Sequence, residues 1–418
     1  MEDLIQFPQT PADIAAAAAK LRAALADPGL GLGEILGVFE TWAAALSTRP
    51  LDTIPGTAFL RLWLRRGTLE PIIARELGPT ALTGDWAEDG RARLRPFPIG
   101  IVGHWPAGNI EIQPILSLTC ALLGSNAALA RIPSGLVEVT RQLMAPLAGT
   151  PGGNRLLQRI ALISFEHGRR ELHEVMAQAV DGAMIWGGKE AVLNVRSLPF
   201  PFWARLAVFG PRLSVAALDA ETWSNPSSRK SWCQRIARDV WQFDQQACSS
   251  PQTLFLEKKP GCSSAGFVSA LKQAFAIENQ QHPRPSIHPA LTSAICQARA
   301  AWLMADTAHE AVFPPGPDWT LLLGSGSDIP PPTQGKTLTI LEVDRLCEPI
   351  SKFDGNVQTL GLGVADAGKE AQLALLAGSR GVDRVVKLGR MHLFVPPWDG
   401  ADLIRPMVRM VRHMPSTE

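Results

Sequence analysis

The segment Asp244-Gln245-Gln246-Ala247-Cys248-Ser249-Ser250-Pro251 sets one cysteine among small polar residues. A loop of this kind can give a thiol the access and the thiolate-favouring surroundings that a nucleophile needs. The same composition also fits an inert structural cysteine. A second constellation is Gly103-His104-Trp105-Pro106-Ala107-Gly108-Asn109. Its Asn amide can donate to a developing oxyanion, and its His offers a base. A Gly-Asn pair makes an ordinary turn just as well. The third is Trp186-Gly187-Gly188, followed by Lys189. Glycines there let a backbone approach a pyrophosphate at a helix start, or simply serve a tight turn that needs φ > 0.

Several common chemistries lack their residues. The dinucleotide fingerprint GxGxxG is absent, because Gly29, Gly31 and Gly33, and Gly324 with Gly326, fail its spacing. The phosphate loop GxxxxGK[ST] is absent too. Gly335-Lys336-Thr337 follows Pro330 where a glycine is required, and Gly188-Lys189 is followed by Glu190. No GxSxG elbow supports a serine hydrolase. The six cysteines, at 120, 233, 248, 262, 296 and 347, form no CxxC pair, so neither a zinc site nor a disulfide framework is expected. Forty Lys and Arg against 39 Asp and Glu leave a net charge of +1, which argues against a nucleic-acid partner. The start Met1-Glu2-Asp3-Leu4 lacks the basic residues and apolar run of a secretory leader, and a reducing cytoplasmic setting is expected.

These loops need a scaffold. At roughly 150 residues per domain, 418 residues suggest two or three domains. Helices are expected over 11–48, broken at Asp27-Pro28-Gly29, and over 56–77. Short apolar runs at 98–103, 127–132, 160–164 and 183–186 alternate with helical stretches at 112–123, 140–148, 170–180 and 189–195. That alternation predicts an α/β fold whose parallel sheet is covered on both faces. The uncharged stretch 112–130 contains Gln113, Pro114, Gly124, Ser125 and Asn126, so a buried helix and turn are expected rather than a membrane span. Beyond 210 the pattern continues with an amphipathic helix over 228–243, a strand over 253–257, helices near 264–277 and 289–305, and strands near 337–343 and from 357. A final helix is expected over about 400–413.

The segments GIVGHWPAGN, AMIWGGKEAV, FDQQACSSPQ, GNVQTLGL and GVDRVVKLG through PPWDG together resemble the LuxC-type acyl-CoA (fatty acyl) reductases, a branch of the aldehyde dehydrogenase superfamily. The resemblance implies an aldehyde-dehydrogenase-like α/β fold: a Rossmann-type nucleotide domain plus an α/β catalytic domain. Residues 1–210 would hold a helical N-terminal segment and the NAD(P)-binding domain, and 211–390 the catalytic domain. Residues 391–418 would pack back on the cofactor domain. It further implies NAD(P)H-dependent reduction of an acyl thioester to the aldehyde through an acyl-enzyme on Cys248. Asn109 would complete the oxyanion hole. Cofactor contacts would come from Trp105, Pro106, Arg131, Pro133, Ser134, Trp186, Gly187 and Gly188, and no metal is required.

Arg131 matches the strand end that usually carries a Lys toward the adenosine ribose. With no carboxylate directly after it, NADPH is expected ahead of NADH. The acyl donor would be acyl-CoA, an acyl-carrier protein or an acyl-transferring partner enzyme, and a homo-oligomer is expected by analogy. Two departures stand out. Oxidising relatives keep a water-activating Glu near the position of Val208. Glu348-Pro349-Ile350 lies near the region where relatives hold the nicotinamide ribose. Two other readings of the same residues stay open: a non-reducing acyltransferase that uses Cys248, and an inactive binding scaffold.

Overall fold

In a computed structural model describing residues 4–284 and 286–415, the chain divides into two units. One is Met1–Pro211 with Phe394–Glu418, the other Arg212–Leu393. Residues 1–3, on which the reading of the amino terminus falls, lie outside the described residues.

The first unit contains β1 (Ile5–Gln6), β2 (Ala87–Asp89), β3 (Ala92–Pro98), β4 (Ile101–Trp105), β5 (Ala127–Arg131), β6 (Ile160–Ile163), β7 (Gly182–Trp186) and β8 (Arg205–Phe209). Six of these strands form a parallel sheet in the order β1-β6-β5-β4-β7-β8. Every residue of β4 is buried, as expected of a central strand with helices on both faces. The uncharged stretch forms the helix Gln113–Leu123, buried along its whole length, and then turns into β5. Among the described residues no helix is long and apolar enough to cross a membrane.

Two expectations for individual elements fail in this unit. The run 98–103 is not one strand: β3 ends at Pro98 and β4 begins at Ile101. Between them Gly100 adopts φ +133°, and its N–H and that of Ile99 both donate to the Asn126 side chain. The expected helix over 400–413 is instead a short turn at Arg405–Met407 and a strand, β16 (Val408–His413), paired antiparallel with β3 from Val408–Pro98 to His413–Arg93. Leu403, Ile404, Met407, Val408 and Val411 mimic helical spacing. The open edge of β3 decides otherwise, because β2 covers its other edge for only three residues. Buried Glu76 fixes the approach by accepting the Ile404 and Arg405 N–H groups.

The second unit is a seven-stranded sheet of β9 (Leu213–Leu218), β10 (Pro251–Glu257), β11 (Glu310–Val312), β12 (Thr320–Ser325), β13 (Thr337–Val343), β14 (Val357–Gly363) and β15 (Arg384–Lys387). Its order is β11-β12-β13-β10-β9-β14-β15, parallel except for β11. The helix Pro226–Trp241 lays Ile236 and Val240 on this sheet beside Phe267, Leu271 and Phe275 of the helix Ala265–Gln281. Ile350, Phe353, Leu373 and Ala377 belong to a second apolar cluster with Phe255 and Leu360.

Candidate active site

Cys248 lies in a half-buried turn between the helix Pro226–Trp241 and β10. The chain reaches it through three consecutive non-glycine residues with positive φ, Phe243 (53°), Asp244 (52°) and Gln245 (63°). Each such residue costs on the order of 1 kcal/mol or more and persists only where its surroundings over-determine it. Here they do. The buried Gln245 amide donates to the carbonyls of Pro251 (2.9 Å) and Thr337 (2.8 Å) and accepts the Thr337 N–H (2.8 Å). The Asp244 carboxylate pairs with Arg284 (2.7 Å) and lies 3.5 Å from Lys336. The turn itself is held on both sides: Ser214 Oγ donates to the Cys248 carbonyl at 2.7 Å, and Ser249 Oγ lies 2.9 Å from His392 Nδ1.

The other cysteines differ. Cys120 and Cys233 are fully buried. Burial pushes the first thiol well above its ordinary pKa and the second up to about 12. Cys262 and Cys296 are exposed, and Cys347 is half-buried.

In the first unit, Trp105, Pro106, Arg131 and Trp186 come together around one pocket of about 270 Å³. The remaining lining includes His167, Gly168, Arg170 and His173 and the helix residues Ala191, Asn194, Val195 and Leu198. Pro133 and Ser134 stand outside this lining, in the turn after β5, as do Gly187 and Gly188 after β7. Gly188 caps the helix Lys189–Arg196. Gly187 takes φ +156°, and a Cβ there would meet Ala191 at 3.2 Å. The side chain of Trp186 is fixed by stacking on Phe209, with centroids 3.8 Å apart, and by donation to Ser117 Oγ at 2.9 Å.

Arg131 donates to the Phe165 carbonyl at 2.9 Å, while its Nε is buried without a partner among the described residues. That orphaned donor, the cationic lining without a carboxylate and the glycine turn fit a phosphorylated nucleotide. Asn109 is exposed in the bend that follows β4.

His104 is not in a loop. It is fully buried in β4, its Nδ1 lies 2.8 Å from Ser117 Oγ, and burial pushes its pKa down to about 3. It is a neutral core residue rather than a base. Val208 lies in β8, and Glu348 is half-buried in the helix Cys347–Ser351. Among the described residues no cluster of His, Cys, Asp and Glu could hold a metal ion.

Three features escaped the sequence reading. The Ser249–His392 pair joins residues with no local relation. The pocket residues His167, Arg170 and His173 sit in an otherwise ordinary polar loop and helix start. The left-handed run before Cys248 carries no glycine to announce it. A fourth, Asp239, also went unread, although an acidic residue between Ile236 and Val240 on the apolar face of its helix is a signal that could have found it. It is buried, accepting the N–H groups of Gly389 and Met391.

The model of the family described as acyl-CoA reductase (LuxC) matches residues 44–413. The chain is 23% identical over 354 residues to the long-chain acyl-protein thioester reductase of Vibrio harveyi, covering 84% of this chain and 71% of that protein. To the protein of that name in Photorhabdus luminescens it is 26% identical over 191 residues, which are 46% of this chain but only 38% of that one. Among solved structures, aldehyde dehydrogenase 21 from Physcomitrella patens, with the reaction product succinate, superposes at TM-score 0.69. Identity is 13%, covering 98% of this chain and 92% of that one. A mutant aldehyde dehydrogenase C from Pseudomonas syringae, complexed with NAD+ and octanal, gives TM-score 0.66 and 14% identity, covering 98% of this chain and 90% of that one. The expected aldehyde-dehydrogenase-like fold is therefore borne out.

Proposed function

The chain belongs to the acyl-CoA reductase (LuxC) family, and on that premise we propose that it reduces an acyl thioester to the aldehyde through a Cys248 acyl-enzyme, with NADPH as the preferred reductant. The observation that carries this reading is the presentation of Cys248. Its turn is hydrogen-bonded on both flanks while the residue itself stays half-buried, unlike the sealed thiols of Cys120 and Cys233.

The Cys248 thiolate attacks the thioester carbonyl, and the side-chain amide of Asn109 and the Cys248 backbone N–H receive the oxyanion. The carrier thiolate departs, taking a proton, and the acyl group remains as a thioester on Cys248. When bound, the dihydronicotinamide supplies the hydride that reduces this acyl carbon by two electrons. The thiohemiacetal then returns the Cys248 thiolate and releases the aldehyde. The pocket of Trp105, Pro106, Arg131 and Trp186, with the Gly187-Gly188 turn, would hold the adenosine and pyrophosphate half. Pro133 and Ser134 shape the ribose side. The donor is an acyl-CoA, an acyl-carrier protein or a partner enzyme, and the working form is a homo-oligomer.

Intact-mass spectrometry after treatment with an acyl thioester tests the assignment. The wild type should gain one acyl group, and Cys248→Ala should gain none and form no aldehyde. An adduct that persists in the variant, or that maps to Cys120 or Cys347, overturns it.

A further inference from the structure

Four side chains with basic nitrogens, Arg131, His167, Arg170 and His173, line the pocket beside Trp105 and Trp186, and no carboxylate does. The four are not equivalent. Arg131 is held by the protein through Nη2 on the Phe165 carbonyl at 2.9 Å, with its guanidinium 5.6 Å from the centre of the Phe165 ring, and the atom it leaves unpaired among the described residues is the buried Nε, not a forked pair of amino groups. His173 is neutral: Trp105 Nε1 donates to its Nδ1 at 3.0 Å, and burial pushes its pKa down to about 4. His167 and Arg170 remain. His167 is exposed in the loop after β6, and Arg170 opens the helix Arg170–Gln178 three residues later. The side chain of Arg170 is 59% exposed. Its only hydrogen bond among the described residues runs from Nε to Glu174 at 2.8 Å, which leaves both terminal amino groups for a ligand.

A ribose with a free 2′-hydroxyl is best met by a carboxylate, whereas a 2′-phosphate is best met by a guanidinium, which binds it through two parallel hydrogen bonds. Given the proposed placement of the adenosine half in this pocket, we infer that Arg170, assisted by His167, receives a phosphate on the 2′-position of the adenosine ribose. Arg170, rather than Arg131, then sets the preference for the phosphorylated cofactor.

Calorimetric titration of the full chain with adenosine 2′,5′-bisphosphate and with 5′-AMP tests this without turnover. The wild type should bind the bisphosphate about tenfold or more tightly, the scale of one charge-assisted pair. Arg170→Ala should bring the two ligands within about threefold by weakening the bisphosphate far more than 5′-AMP, and Arg170→Lys should restore part of the gap. His167→Ala should narrow it less. Arg131→Ala should weaken both ligands alike. A wild-type preference surviving in Arg170→Ala, or lost only in Arg131→Ala, overturns the assignment to Arg170. Failure of the wild type to bind either nucleotide overturns the placement of the adenosine half itself.

Discussion

The hydroxyl of Ser249, next to Cys248, lies 2.9 Å from Nδ1 of His392, which follows 143 residues later in the chain. The other ring nitrogen, Nε2, lies 2.7 Å from the backbone carbonyl of Asp239. A carbonyl can only accept, so Nε2 carries the proton and Nδ1 accepts from Ser249. A buried, neutral imidazole thus ties the cysteine turn to the end of the helix Pro226–Trp241.

His392→Ala should therefore leave a cavity and two buried polar groups without their imidazole partner, destabilising the protein by about 2–4 kcal/mol. It should also slow acyl capture at Cys248, because the turn loses one of its two flanking anchors. Ser249→Ala removes a single hydrogen bond and should cost about 1 kcal/mol. Denaturant titration measures both. A His392→Ala protein as stable as the wild type would show that the imidazole does not organise this turn.

Stability should also fall on mild acidification. Burial lowers the folded-state pKa of His104 to about 3 and of His173 and His392 to about 4. Each is below the ordinary histidine value of about 6.5. Below that value the unfolded chain binds protons that the folded chain refuses, so the stability present above about pH 6.5 drains away as the pH approaches 4. Asp239 acts in the opposite sense. Burial raises its pKa to about 7 despite the Gly389 and Met391 N–H groups, so the folded state gains a proton on it as the pH falls below 7. Three histidines against one aspartate leave a net loss of about 3 kcal/mol between pH 7 and pH 5. Melting temperatures across that range measure it, and His104→Leu should flatten the slope. A protein more stable at pH 5 than at pH 7 would contradict the sign.

What could be read in the sequence and what could not divide along a physical line. Strands β5 and β7 are apolar on both faces, and each is followed by a helix start, so their local pattern is sufficient. Strand β16 was hidden because Met407, Val408 and Val411 satisfy a helical period as well. Only pairing with β3, more than three hundred residues earlier, decides between them. In the same way, Cys248, Arg131 and Trp186 sit in recognisable segments, whereas His392 and Arg170 acquire their places from tertiary packing. The buried carboxylate of Asp239 is intermediate, since an acid on an apolar helix face already demands a partner.

Asn109→Ala should lower turnover by ~10²–10³-fold, the size of a lost oxyanion donor. Its exposed position in the bend after β4 means that truncation should leave the fold and nucleotide binding unchanged. Steady-state rates together with a nucleotide titration separate these effects. A fall in turnover of less than about threefold would assign Asn109 some role other than receiving the oxyanion.

The direction of the reaction should follow from Val208. Fast hydrolysis of an acyl-enzyme needs an activated water, and general-base help is worth ~10²–10⁴-fold. By resemblance, oxidising relatives keep that base near the position of Val208, in β8, and a Val side chain cannot take a proton. The acyl-enzyme should thus survive until hydride or an incoming thiol reaches it. Oxidation of aldehyde to free acid should be at least about tenfold slower than thioester reduction, a floor set below the general-base range. Val208 is 36% exposed on the edge strand of its sheet, so Val208→Glu should fold, and it should raise acid release if its carboxylate meets the bound acyl group. Quantifying acid and aldehyde from one acyl thioester resolves the two routes. Rapid acid formation by the unmodified protein would assign it an oxidising role instead.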